Sequence, residues 1–184
     1  MLCWKCKELI EGAICVSCST IQPPPKEKDY FSILQIEKKY FLDEKKLTLQ
    51  HRILSKKLHP DRWRNNAAVE RRMSVQWMAL INEAQTVLFD PITRARFLAT
   101  GFAQAQENAG KVSSEFLEQI FTLQMQAMED LEASKREAQV LLEQVLSSLH
   151  QIFEKWEQGE GSLDQVEELL GQWKYLTNLV NKEA

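Results

Sequence analysis

Four cysteines fall within the first eighteen residues, as Cys3-Trp4-Lys5-Cys6 and Cys15-Val16-Ser17-Cys18, with eight residues between the pairs. A Cys-x-x-Cys loop is short enough to bring both sulfurs onto one ion. Two such loops supply four soft thiolates at tetrahedral geometry, a donor set that suits Zn²⁺. A redox dithiol or a pair of disulfides is the competing use, and it is the weaker one where no export is expected. Four thiolates leave no open coordination position, so the zinc expected at Cys3, Cys6, Cys15 and Cys18 is structural. With Gly12 for the turn, so small a knuckle holds no core of its own and is expected to fold around the metal.

A second constellation is His59-Pro60-Asp61, preceded by Lys45, Lys46, Arg52, Lys56 and Lys57. Asp61 is a short anion in an expected loop, able to pair with a cation on a partner, and His59 and Pro60 would fix that loop. The cationic face ahead of it can steer onto an acidic patch. The plainer alternative is a helix stop at Pro60, a surface histidine and a solvated lysine face. No chemistry of the chain's own is expected. His51, His59 and His150 are scattered, every cysteine is assigned, and there is neither a Gly-rich phosphate loop nor a Ser/His/Asp ordering. The carboxylates of the tail recur at helix-surface spacing, as solvent faces do.

The elements that must position these groups are helical. Pro23-Pro24-Pro25 favours a stiff, extended connector and ends the knuckle, so the helical parts are expected to fold independently of the metal. Asp29 caps a short helix carrying Tyr30, Phe31, Ile33, Leu34 and Ile36. Asp43 and Glu44 start a second, with an apolar stripe of Leu47, Leu49, Ile53, Leu54 and Leu58. That helix stops at His59, because proline excludes the residue before it from helical geometry. A third runs from about Asn65 to Phe89, with Val69, Met73, Trp77, Leu80, Ile81, Ala84, Val87 and Leu88 on one face, and Asp90-Pro91 closes it.

Beyond Gly101 a polar stretch runs to Lys111. Ser113 or Ser114, with Glu115 behind, starts a long helical segment whose later part repeats Leu142, Val145, Leu146, Leu149, Ile152, Phe153 and Trp156. Gly159-Glu160-Gly161 interrupts it. Ser162 with Gln165 has the spacing of a capping box for a last helix bearing Leu163, Val166, Leu169, Leu170, Trp173, Leu176 and Val180. Two or three antiparallel helices pack such segments economically. The expected fold is all-α: a zinc knuckle (1–22), a proline-rich linker (23–28), a helical-hairpin domain (29–100), a linker (101–112) and a helical bundle (113–184).

Asp29-Tyr30-Phe31, a basic helix, His59-Pro60-Asp61, Ile81-Asn82-Glu83-Ala84 and Leu88-Phe89-Asp90-Pro91 together resemble a J-domain. With Arg94-Ala95-Arg96-Phe97-Leu98, and a knuckle ending in Ile21-Gln22-Pro23, the chain resembles the HscB family in particular. The resemblance implies a co-chaperone of iron–sulfur cluster biogenesis. His59, Pro60, Asp61, Arg52, Lys56 and Lys57 would dock on a DnaK/HscA-type ATPase chaperone and make it hydrolyse ATP. The bundle would bind a scaffold protein of the IscU type through Leu117, Phe121, Glu129 and Tyr175. Glu118, Thr122 and Met125 depart from the family's pattern, which has an apolar residue at the first position and acids at the other two.

Charge is consistent with two partner surfaces. The formal net charge is −3, yet residues 26–66 carry 11 Lys/Arg against 6 Asp/Glu, and residues 113–184 carry 5 against 14. The basic block is modest, its aromatics do not alternate with its cations, and the pI is about 5.7, which argues against nucleic acid. A J-protein for another client, or a zinc-dependent nucleic-acid or transcription adaptor, are the rival readings. No apolar run of membrane-spanning length occurs. A cytoplasmic protein, or a mitochondrial-matrix protein in mature form, is expected.

Overall fold

The computed structural model describes residues 2–105 and 112–181, and these hold eight helical segments and no β-strand. The chain forms two compact units, Met1–Asp90 and Pro91–Ala184.

The first unit opens with the knuckle, built as two copies of one loop. In the first, Cys3 N–H donates to Glu8 O, Lys7 N–H donates to Cys3 O, and Leu2 bridges Leu9. In the second, Cys15 N–H donates to Thr20 O, Ser19 N–H donates to Cys15 O, and Ile14 bridges Ile21. The turn closes at the same place in both: Lys7 and Ser19, each following a second cysteine, have φ of 66° and 55°. Cys3, Ile10 and Cys15 are buried together as its small core.

Helix α1 (Tyr30–Leu34) is capped by Asp29, which accepts from Phe31 N–H, and α2 (Glu44–Leu58) by Asp43, which accepts from Lys45 and Lys46 N–H. Only Leu47, Leu54 and Leu58 of the expected α2 stripe are buried; Leu49 and Ile53 are exposed. At 100° per residue these two stand about 200° and 240° around the helix from Leu47, on the outward side. Helix α3 (Pro60–Trp63) has Pro60 at its first position, and α4 (Ala68–Phe89) follows. Pro60 therefore does more than stop α2: its fixed φ suits the first turn of a helix. Asn65 and Asn66 lie in the turn before α4 rather than within it, and Glu70 Oε2 accepts from Ala67 N–H to close α4's start. Helices α1, α2 and α3 pack on α4, burying Phe31, Leu34, Leu58, Ile81, Ala84 and Leu88 almost completely.

In the second unit α5 (Pro91–Thr100) packs on α8 (Val166–Val180), while α6 (Ser114–Glu129) and α7 (Leu131–Glu157) complete a three-helix bundle with α8. Residues 91–100 belong to this second compact unit. Arg96 of α5 pairs with Glu167 of α8 at 3.3 Å. The long segment expected from Ser113 is two helices. Asp130 divides them, accepting from Ala133 N–H at 2.9 Å as α7's cap. Buried Ser134 of α7 donates to Leu123 O of α6 at 2.7 Å, which pins the hairpin. The Ser162/Gln165 capping box does not form: Ser162 Oγ donates to the Asp164 carboxylate, and Gln165 precedes α8 without a side-chain bond. Val145, Leu149 and Phe153 of α7 and Val166, Leu170, Leu176 and Leu179 of α8 fill the core, whereas Leu146 is exposed.

Candidate functional site

The two knuckle loops bring all four cysteine sulfurs within 4.8 Å of one another. Cys3 and Cys18, and Cys6 and Cys15, face each other at 3.6 Å. A tetrahedral ion with bonds of about 2.3 Å to sulfur needs separations of about 3.8 Å, so the cluster has the right size for one metal ion. All four thiols are free, and Cys6 is the most exposed. Polar groups around the sulfurs are also in place. Gln22 Nε2 donates to Cys3 Sγ at 3.3 Å, and Thr20 Oγ1 lies 3.3 Å from Cys18 Sγ. Burial raises the Cys3 thiol, but the main-chain N–H groups of Cys6 and Lys5 with the adjoining thiols outweigh it and hold the group at about 6. At Cys6 the main chain of Glu8 lowers, while burial and the three neighbouring thiols raise, leaving the group at about 12. Four thiols this close share their protons unequally, and a divalent cation would displace them.

Around α3 the tripeptide is better ordered than a loop. His59 Nδ1 accepts from Asp61 N–H at 3.3 Å, and Nδ1 stands 3.5 Å from Asp61 Oδ2. Asp61 is 86% exposed, so its carboxylate remains open to solvent beside His59. Trp63, one turn on, is buried and anchors the short helix. Arg52, Lys56 and Lys57 are exposed on α2, and Leu49 and Ile53 share the outward face with Arg52 and Lys56. Leu49 and Ile53, counted in the expected apolar stripe, lie off the buried face that Leu47 marks.

In the bundle Leu117, Phe121 and Tyr175 are 43%, 64% and 42% exposed, which large apolar groups in a core are not. Met125 and Met128 are exposed as well, and the spacing 117, 121, 125, 128 sets all four side chains of α6 on one helix face. Helical spacing from Leu117 carries the signal for both Met125 and Met128, which the sequence expectations for this surface do not include. Tyr175 is brought to this helix by Phe116, whose ring meets it edge to face at 6.4 Å. Glu129 is exposed but stands about 18 Å along α6 from Leu117, away from Tyr175's neighbourhood.

Among the described residues no helix is long and apolar enough to cross a membrane. Residues 29–97 match the DnaJ domain. The mouse (Mus musculus) iron-sulfur cluster co-chaperone protein HscB is 27% identical over 195 residues, covering 98% of this chain and 80% of that one. The Arabidopsis thaliana iron-sulfur cluster co-chaperone protein HscB homolog is 32% identical over 155 residues, 84% of this chain and 59% of that one. The crystal structure of human co-chaperone protein HscB superposes with a TM-score of 0.76 at 22% identity, over 97% of this chain and 94% of that one. Chaperone HscB from Vibrio cholerae gives 0.61 at 24% identity, over 83% and 93%. At these identities the two solved structures speak for the fold.

Proposed function

Because the chain is a J-domain protein of the HscB type, we propose that it binds an iron–sulfur cluster scaffold of the IscU type, delivers it to a dedicated DnaK/HscA-type chaperone, and stimulates that chaperone's ATPase. The observation that carries this reading is the pairing of two exposed surfaces of opposite character. One unit presents His59-Pro60-Asp61 beside Arg52, Lys56 and Lys57; the other presents Leu117, Phe121, Met125 and Met128 on one helix face with Tyr175 near its start.

On this reading Asp61 pairs with a cation of the chaperone, the α2 cations meet its acidic surface, and Leu49 and Ile53 add apolar contact between them. His59 and Pro60 hold the α3 turn that presents Asp61. Leu117, Phe121 and Tyr175 enter an apolar surface of the scaffold, and Glu129 supplies a peripheral charge contact. The cysteines hold Zn²⁺ for structure; the d¹⁰ ion has no redox chemistry, and four sulfur ligands leave no site for a substrate. The chain carries out no catalysis itself. It acts in the bacterial cytoplasm or the mitochondrial matrix, where the scaffold and its chaperone meet.

A binding and turnover experiment tests the reading. Immobilised protein should retain an IscU-type scaffold and an HscA-type chaperone, and should raise that chaperone's steady-state ATP hydrolysis, more so with scaffold present. Retention of other clients, or of nucleic acid, in place of the scaffold would overturn it.

A further inference from the structure

The proline-rich segment after the knuckle does not isolate it, because Gln22 is bonded in two directions at once. Its side chain belongs to the metal centre: Nε2 donates to Cys3 Sγ at 3.3 Å and to Thr20 O at 2.8 Å, while Oε1 accepts from Trp4 N–H at 3.2 Å. Its main chain faces both ways. The N–H donates to Ala13 O at 2.8 Å, inside the knuckle, and the carbonyl accepts from the Trp77 indole N–H of α4 at 2.7 Å. Gln22 is fully buried and Trp77 nearly so, and every polar group of Gln22 has a partner. On another side of Trp77, Gly12 and Ala13 of the knuckle line a cavity of about 330 Å³ together with Leu54 and Leu58 of α2 and Trp77 itself.

A glutamine held this way is a strut. Loss of the metal would leave four mutually crowded thiols with nothing to hold their loops, and Cys3 is the loop position that Gln22 grips. If that loop opens, the Gln22 side chain loses its sulfur and its Trp4 partner. Its carbonyl, next in the chain to three prolines, would then no longer be fixed in front of Trp77. The indole N–H would lie in a buried place without an acceptor, an arrangement proteins avoid.

We infer that Gln22 links metal occupancy of the four-cysteine centre to the order of the J-domain, so that binding of the ion tightens α4 around Trp77 and an intact Gln22–Trp77 bond tightens binding of the ion. The inference rests on the reading of the four cysteines as a metal site. The effect must run both ways with equal size, since coupling between two equilibria is reciprocal.

The full-length chain, prepared with stoichiometric Zn²⁺ and stripped of it by chelator under reducing conditions, is compared by amide hydrogen exchange. Zinc should slow exchange several-fold in peptides from 68–89 and leave those from 131–157 unchanged. In chelator competition Gln22→Met should bind Zn²⁺ about 10- to 100-fold more weakly, as loss of a ligand's hydrogen-bond partner does. Trp77→Phe should bind it about 2- to 10-fold more weakly, the range of one neutral hydrogen bond, and the zinc response of 68–89 should disappear. A chain that takes up zinc with unchanged exchange in 68–89 overturns the linkage and leaves the metal site standing. A chain that takes up no zinc overturns both. Should Trp77→Phe fold poorly, the comparison of loaded and stripped wild type decides the matter alone.

Discussion

The rings of Phe116 and Tyr175 meet edge to face with centroids 6.4 Å apart, one buried and the other 42% exposed. The pair separates two roles that lie close together. Phe116 belongs to the bundle core, and Phe116→Ala should cost on the order of 3–5 kcal/mol of folding stability. Tyr175, with Leu117 and Phe121, has little to lose on truncation in the free protein. The triple alanine variant should keep its melting temperature within a few degrees yet lose scaffold affinity at least about a hundredfold, because each apolar side chain buried on binding contributes roughly 1.5–3 kcal/mol before losses. Calorimetry of binding and of unfolding on the same samples decides. A variant that melts far lower but binds normally would make these three residues core.

Met125 and Met128 extend the same exposed face, and neither Thr122 nor Met125 carries a charge there. Scaffold binding should therefore depend on apolar contact more than on charge. Raising salt from about 0.1 to 0.5 M should change the dissociation constant less than about threefold, since screening acts on charge pairs and not on apolar burial. Replacing Met125 by Glu should make the same titration visibly steeper. A strongly salt-dependent wild type would refute the expectation.

Caps were the most legible part of the fold. Asp29, Asp43 and Ser113 each precede an apolar-periodic run with a short side-chain acceptor, and each bonds the N–H expected of it. The same logic failed at Ser162, where a nearer partner, Asp164, takes the hydroxyl. It also missed Asp130, which sits inside a stretch whose helical pattern continues on both sides, with no glycine or proline to mark the break. The metal-sized cysteine cluster was legible because covalent spacing alone brings each pair together. The Gln22–Trp77 bond was not, since 55 residues separate its ends and a main-chain carbonyl leaves no trace in composition. Leu49 and Ile53 show a further limit: an apolar residue on a helix is core only at the right angle, and a count of apolar residues ignores angle.

Glu83 of α4 accepts from Lys28 Nζ at 2.7 Å and from Tyr30 OH at 2.7 Å, tying the chain ahead of α1 to α4. Burial raises its carboxyl, but the bonds from Lys28 and Tyr30 outweigh that and hold it below the usual glutamate range. A group whose folded pKa is depressed adds stability above its unfolded pKa and loses it as pH falls through the folded value. The melting temperature of the wild type should thus fall between about pH 5 and pH 3, and Lys28→Met should reduce that fall while lowering stability slightly at pH 7. An unchanged acid profile in Lys28→Met would show that the pairing adds nothing.

Asp61 reaches solvent from the first turn of α3, where its own N–H is held by His59 Nδ1 at 3.3 Å. The carboxylate stands 86% exposed, 3.5 Å from His59 Nδ1, so a partner can reach it while the backbone beneath it is fixed. Asp61→Asn keeps shape and volume and removes only the charge, so helicity, melting temperature and scaffold binding should be unchanged. Stimulation of the chaperone's ATPase should be lost. His59→Gln removes the ring nitrogen that orders the turn. It should also abolish stimulation, with at most about 1 kcal/mol of lost stability, the range for a capping acceptor at an exposed site. The two variants then separate charge from geometry. Adding the chaperone in large excess should restore part of the activity of His59→Gln, whose carboxylate is intact, and little of that of Asp61→Asn. Undiminished stimulation by both variants at limiting chaperone would remove this surface from the mechanism and leave Arg52, Lys56 and Lys57 without the anion they were expected to flank.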